Sequence, residues 1–223
     1  MSIIHILDRQ SDQIIDDITE KYILDNVHER SLKDYRETFE FVTFGDMRFS
    51  QHLEKRNKII IPKEDDGYQE FVISETEKVH EDEILEVTVF ADASYLELKK
   101  ASVIEPQTFT EYTASMGVSR ALRDTPWQAG IIESTGYRTI TFEKHTNPYD
   151  FLKRIAKEFD LELNFRVEID GNRIIGRYVD LVERIGTWHG VEVEFGKNLK
   201  GIRRTENTDD VVTALIGLGP ERE

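Results

Sequence analysis

The chain has 223 residues, no cysteine, 39% hydrophobic and 33% charged residues, and a formal net charge of −15. That length allows one or two domains with a sizeable core. The missing cysteines exclude disulfides, thiolate catalysis and Cys-based zinc sites, and the acidic balance argues against a sequence-specific DNA binder, which carries a basic face.

No apolar run reaches the length of about 18 residues that a membrane-spanning helix needs. The start, Met1 to Arg9, lacks the basic region of a secretory signal. Ile3–Leu7 is a short apolar run that reads as an edge strand, and 8–26 is polar with poor periodicity. Phe39–Phe44 is rich in aromatic and β-branched residues and predicts a strand ended by Gly45-Asp46. Arg56–Pro62 predicts another, stopped by its proline. Asp65-Asp66-Gly67 is a turn signal. Tyr68–Glu77 and Ile84–Ala91 read as two more strands, the second with Leu85, Val87, Val89 and Ala91 on one face. Short strands at this spacing predict a small barrel or sandwich.

After Ala91 the pattern changes. Asp92 is placed to cap a short helix through Leu98. Thr113–Asp124 predicts a second helix with Met116, Val118, Ala121 and Leu122 as its apolar members. Trp127 follows it and reads as a core residue. Tyr137–Glu143 predicts a strand. Asn147 then caps a helix over 147–159, with Pro148 at its first position and Asp150 completing a capping box. Phe151, Leu152, Ile155, Ala156 and Phe159 form one apolar stripe. Leu161, Leu163, Phe165, Val167 and Ile169 alternate with polar residues, Asp170-Gly171 marks a tight turn, and Arg173–Leu181 returns as the partner strand. The order strand–helix–strand–strand predicts an α+β layer rather than a wound parallel sheet, with the helix packed on the strand pair.

At the end of the chain, Val191, Val193 and Phe195 alternate with Glu192 and Glu194. Gly196-Lys197-Asn198 interrupts them, and Val211–Leu218 reads as a further strand. Charge is unevenly spread. Twelve acidic residues and one base, Lys78, lie between Glu64 and Glu97, and four bases, Lys197, Lys200, Arg203 and Arg204, lie together without an acid. Both stretches fit solvated surface. Both also fit faces that meet a charged neighbour in an assembly, which makes those four bases candidate subunit-interface residues.

Catalytic chemistry is not legible. The six histidines form no His-Glu-x-x-His pattern, there is no Gly-x-Ser-x-Gly elbow, and no phosphate-cradling glycine loop is present. His80-Glu81-Asp82-Glu83 is the nearest approach to a metal cluster, but neighbouring side chains on a strand point apart. No catalytic residue, cofactor or metal site is therefore expected.

Four blocks in this order carry a family resemblance: the Phe-rich strand Phe39–Phe44, Leu85-Glu-Val-Thr-Val-Phe-Ala91, the helix 147–159, and the segment from Trp188-His-Gly-Val through Phe195-Gly-Lys-Asn-Leu-Lys-Gly-Ile202 to Val211-Val-Thr-Ala-Leu-Ile-Gly-Leu-Gly219. Together they resemble the N-terminal hub region of phage tail-tip proteins, the prophage tail endopeptidase or tail-associated lysin family. The resemblance implies an α+β, mainly β fold: a tail-tube-like small β-barrel domain over 1–98 that 185–223 completes, with an inserted α+β domain over 99–184. It further implies a structural homotrimer forming a hub at the distal tail tip of the virion, assembled in the host bacterial cytoplasm. Its expected partners are a distal tail protein ring and a tape-measure protein, with DNA passing through the lumen and the host surface reached through further domains. Lytic activity is expected in those further C-terminal domains and not in this chain. The alternatives are a cell-wall hydrolase or peptidase of the tail tip, and a host-carbohydrate-binding module.

Overall fold

The computed structural model describes residues 3–31, 35–63, 67–81 and 83–186, with Gly190, Glu192, Glu194 and Lys197 as isolated positions. The remainder of the segment from Thr187 to Glu223, including most of the family block at 188–219, lies outside the described residues.

Strands β1 (Ile3–Leu7), β2 (Ile14–Thr19), β3 (Ile23–Ser31), β4 (Arg36–Phe44), β5 (Lys58–Pro62), β6 (Tyr68–Glu81) and β7 (Ile84–Ala93) form the first part of the chain. They pair antiparallel in the spatial order β2-β1-β5-β6-β7-β4-β3. In β4, Glu37, Phe39, Phe41 and Thr43 are buried while the residues between them are partly exposed. The same alternation runs along β7, with Val87, Val89, Ala91 and Ala93 inside. One face of this sheet is therefore core and the other is wet.

The two ends of that strand path are neighbours in sequence. β2 ends at Thr19, β3 begins at Ile23, and a single 3-10 turn over Glu20–Tyr22 joins them. At about 3.8 Å per residue the two edges are held within about 15 Å, so the sheet curls back on itself. No pairing between β2 and β3 closes it among the described residues.

The second part holds α1 (Ala114–Ala121), α2 (Pro148–Glu158), β8 (Gln107–Tyr112), β9 (Gln128–Ile132), β10 (Arg138–Phe142), β11 (Glu162–Asp170) and β12 (Arg173–Val182). β11 and β12 form a hairpin through a turn at Asp170-Gly171, where Gly171 has φ +59°, a conformation that glycine adopts without strain. The main sheet continues from β6 into this hairpin through the pair Tyr68–Val167. β8 and β10 make a separate two-stranded sheet. Asn147 caps α2 by accepting from the Asp150 N–H at 2.9 Å, and its own amide donates to Asp150 Oδ2 at 2.7 Å.

Several expectations are corrected. β1 is not an edge, because β2 and β5 flank it. The polar stretch 8–26 contains β2 and the start of β3. Its periodicity is weak because β3 is itself an edge strand with Leu24–Arg30 exposed on both faces, so nothing selects an apolar side. Asp92 caps no helix: β7 runs on to Ala93, a 3-10 segment follows over Ser94–Lys100, and Asp92 lies on the wet face 3.6 Å from Arg36. Met116 is half-exposed on α1. β8 and β9 have no counterpart among the expected strands, and β9 pairs parallel with β12. The mainly β, α+β class, the caps of α2, the β11–β12 hairpin and a buried Trp127 stand as read.

Candidate functional site

Two structural ties fasten the second part to the first. In one, the Arg177 guanidinium of β12 forks onto the Glu70 carboxylate of β6, with Nε–Oε2 at 2.9 Å and Nη2–Oε1 at 2.7 Å. It also donates to Asp12, 2.5 Å from Nη2 to Oδ1. Lys58 of β5 stands 3.4 Å from Glu70 and 3.6 Å from Asp12. Backbone bonds reinforce the tie, from Ile14 N–H to Asn172 O at 2.7 Å and from Ile174 N–H to Asp12 O at 2.9 Å. Burial disfavours charge on Glu70, but the Arg177 hydrogen bonds and the Lys58 and Arg177 charges outweigh it and hold the carboxyl below its usual range. Asp12 is lowered by its bond to Arg177 against an opposing desolvation. Burial works against the Arg177 charge, but its two carboxylates overcome that cost and raise it.

The other tie is aromatic. Tyr95 stacks on Phe165 of β11 with centroids 4.0 Å apart, and Trp127 meets the same ring edge-on at 5.4 Å. The hydroxyls of Tyr95 and Tyr149 both donate to Tyr35 O at 2.8 Å. Burial and then the nearby Glu37 charge push the Tyr95 phenol upward, so it stays a donor. Nearby, His28 Nε2 lies 2.7 Å from Oε1 of the buried Glu37. These networks fix geometry, and Tyr35, Glu37 and Tyr95 also line a cleft of 420 Å³.

The acidic stretch of the sequence becomes a surface. On the wet face of the β3–β4–β7–β6 sheet, Val27, Glu40, Phe90 and Glu75 form one cross-strand row and Asp25, Val42, Thr88 and Glu77 the next. Glu29, Glu86 and Asp92 lie on the same face, and Arg36 is the base there, 3.6 Å from Asp92. Sequence reasoning places the acids of 64–97 on strands without joining them to Asp25, Glu29 and Glu40, which lie far earlier in the chain.

Of the four candidate interface bases, Lys197 pairs with Glu194 at 3.2 Å, with both side chains largely exposed. Lys200, Arg203 and Arg204 lie outside the described residues. Among the described residues no cluster of metal-ligating side chains gathers, and His80, Glu81 and Glu83 are exposed on the β6–β7 hairpin. Sequence reading misses Asp12, Glu70 and Arg177, since partners separated by 107 and 165 positions leave no local pattern.

The fold is similar to that of phage tail proteins. It is similar to the tail protein from Neisseria meningitidis MC58, with 11% identity, a TM-score of 0.53, and 80% of this chain covering 50% of that one. It is also similar to the 43 kDa tail protein of prophage MuSo2 from Shewanella oneidensis, with 13% identity, a TM-score of 0.56, and 90% of this chain covering 59% of that one. The chain thus spans about half to three-fifths of the length of these two relatives. More particularly, residues 101–181 match the family model of the prophage endopeptidase tail domain. Over 101–181 the chain is thus similar to that domain, in agreement with the resemblance to phage tail proteins read from the sequence. No curated protein matches the sequence.

Proposed function

We propose that this chain is a structural subunit of a phage tail, a homotrimeric hub at the distal tail tip that closes the tail tube. The observation that carries this reading is the prophage tail domain match over 101–181, set in a body whose fold is like that of tail proteins. In this reading the division is a tube-like domain over 1–98 completed by 185–223, and an inserted domain over 99–184. The curled β2-to-β3 strand path supports a barrel-like first domain. The acidic wet face of β3–β4–β7–β6 supports a lumen role, because carboxylates there repel the DNA backbone and prevent it from sticking. A distal tail ring, a tape-measure protein, and lytic or receptor-binding domains complete the assembly. Native mass spectrometry of the isolated tail tip tests the reading. Three copies per tip are expected, and one or two copies would overturn it.

The endopeptidase in the family's name raises a hydrolase as the second reading. The described residues offer His28–Glu37 and His5–Asp17 as His–carboxylate pairs, but no cysteine exists and no serine elbow is present in the sequence. We assign this chain no cell-wall cleavage of its own. Zymography on host cell walls is expected to show no clearing. A cleared band that disappears on replacing one carboxylate would reverse the assignment.

A further inference from the structure

The wet face of the β3–β4–β7–β6 sheet changes sign along its strands. Glu75 and Glu40 flank Phe90 in one cross-strand row, and the next row away from the hairpin turn holds Val72, Asp92 and Thr38. At that end the 3-10 segment over Ser94–Lys100 and the turn before β5 border a cleft of 510 Å³. Five bases line it: Arg36, Lys55, Arg56, Lys99 and Lys100. Its acids are Asp92 and Glu97, and Glu54 stands beside it in the chain. The bases outnumber the acids even with Glu54 counted, on a chain whose net charge is −15.

The fold holds these bases in place. Arg56 has φ +75°, a left-handed conformation that is uncommon outside glycine. Its N–H bonds Ile73 O at 2.8 Å, and the Ile73 N–H bonds Asn57 O at 2.9 Å, so the turn is pinned to β6. The buried Asn57 also accepts from the Arg9 N–H at 3.3 Å. That bond brings Arg9 to an adjoining hollow of 300 Å³, which shares Arg56 and Glu97 with the first. Lys58 borders this hollow too, but Glu70 and Asp12 engage it. Arg36 is shared with Asp92, and the Lys99 ammonium lies 4.8 Å from the centre of the Tyr149 ring. Among the described residues Lys55, Arg56 and Lys100 have no ion-pair partner.

We propose that this cleft takes the phosphate backbone of double-stranded DNA. Cations strung along two joined hollows fit a polymer whose charges recur at intervals, and arginine and lysine are the side chains that neutralise phosphates. No aromatic ring lines either hollow among the described residues, so single strands, whose bases stack on such rings, find no platform. Contacts to phosphate alone carry no base sequence. An acidic peptide would need an open sheet edge or an apolar pocket, whereas β6 and β7 are paired on both sides and only the half-buried Val72 and Leu96 offer side-chain apolar surface at the cleft mouth. The inference rests on the lumen reading above, since the cleft opens at one end of the face assigned to the lumen. The duplex is held at that end and repelled along the carboxylate rows. At about 0.1 M salt, charges more than about 10 Å away are largely screened, so the bases beside a seated phosphate outweigh the net charge of the chain.

Fluorescence anisotropy of a labelled mixed-sequence duplex of about 20 base pairs, titrated with the full chain from about 50 to 200 mM salt, tests this. Two double variants make the same change in net charge: Lys55→Glu with Lys100→Glu in the cleft, and Lys144→Glu with Lys157→Glu after β10 and on α2. All four positions are exposed, and circular dichroism checks that each variant is folded. The cleft variant is expected to bind about tenfold or more weakly and to lower the slope of log affinity against log salt by about two, while the other variant binds like wild type. Equal losses in both variants would assign the effect to net charge and overturn the cleft. A wild type that does not bind the duplex at the lowest salt also overturns it. A single strand of the same length that binds more tightly, or polyglutamate that displaces the duplex at equal charge, would give the cleft to another polyanion and overturn the duplex. The copy number in isolated tail tips decides the hub separately, so failure of this contact leaves that reading standing.

Discussion

Replacing Arg177 by methionine is expected to destabilise the fold by about 3–5 kcal/mol at neutral pH, the cost of breaking a buried ion pair by removing one partner. Arg177 is 6% exposed and Glu70 only 1%, so the variant leaves a carboxylate in the interior without its fork of donors. Lys58, 3.4 Å away, retains part of the compensation and sets the loss toward the lower end. Asp12 is more exposed and regains water. The effect has a pH signature with a definite sign. Glu70 and Asp12 both titrate below their ordinary range in the folded chain. Their contribution is therefore complete above the unfolded carboxylate values, and it is lost as pH falls through the depressed folded values. Urea denaturation at about pH 7 and again near about pH 3 should show the gap between wild type and variant shrinking on acidification. An equal gap at both pH values would show that the substitution acts through packing rather than through the carboxylates. Because the tie joins β6 and the segment before β2 to β12, the variant is also expected to raise amide exchange at Ile14 and Ile174, whose N–H groups bond across it.

Phe151→Ala is the second large effect, about 3–5 kcal/mol for an aromatic ring removed from a core. Phe151 on α2 is fully buried. The sequence places this helix on the β11–β12 pair, and Tyr149 does reach Phe165 of β11, with ring centroids 6.5 Å apart. Phe151 itself faces the other way. It stacks on Phe142 of β10 at 4.4 Å and meets Phe109 of β8 edge-on at 5.8 Å. The substitution would open a cavity beneath the two-stranded β8–β10 sheet, whose Phe109 and Phe142 pack on that ring, and an isolated strand pair is marginal on its own. The expected loss is therefore accompanied by early proteolysis at 107–112 or 138–142. A change below about 1 kcal/mol in chemical denaturation would mean that the small sheet collapses onto the helix and refills the space.

How much is legible follows the physics of each element. The α2 cap box, its apolar stripe and the β11–β12 alternation are plain because each is written within a few residues. β3 is invisible, since an edge strand wet on both faces has no alternation to read. β8 and β9 escape because short strands with few buried residues look like loop. Asp92 misleads because an aspartate before an apolar run suits both an N-cap and a strand's wet face, and pairing with β4 and β6 decides for the strand.

The sequence by itself determined the mainly β, α+β class, the absence of thiol chemistry, and the tail-protein resemblance, all of which depend on composition, local period and the order of motifs. The tertiary structure alone decided which distant charges meet. Arg177, Glu70 and Asp12 converge only when β12 lies beside the β5–β6 corner. Asp25, Glu40 and Glu75 share a face only because β3, β4, β7 and β6 pair in that register. The physical reason is range: backbone periodicity acts over one or two turns of chain, whereas Coulomb attraction and burial act between whatever the fold brings within a few ångströms.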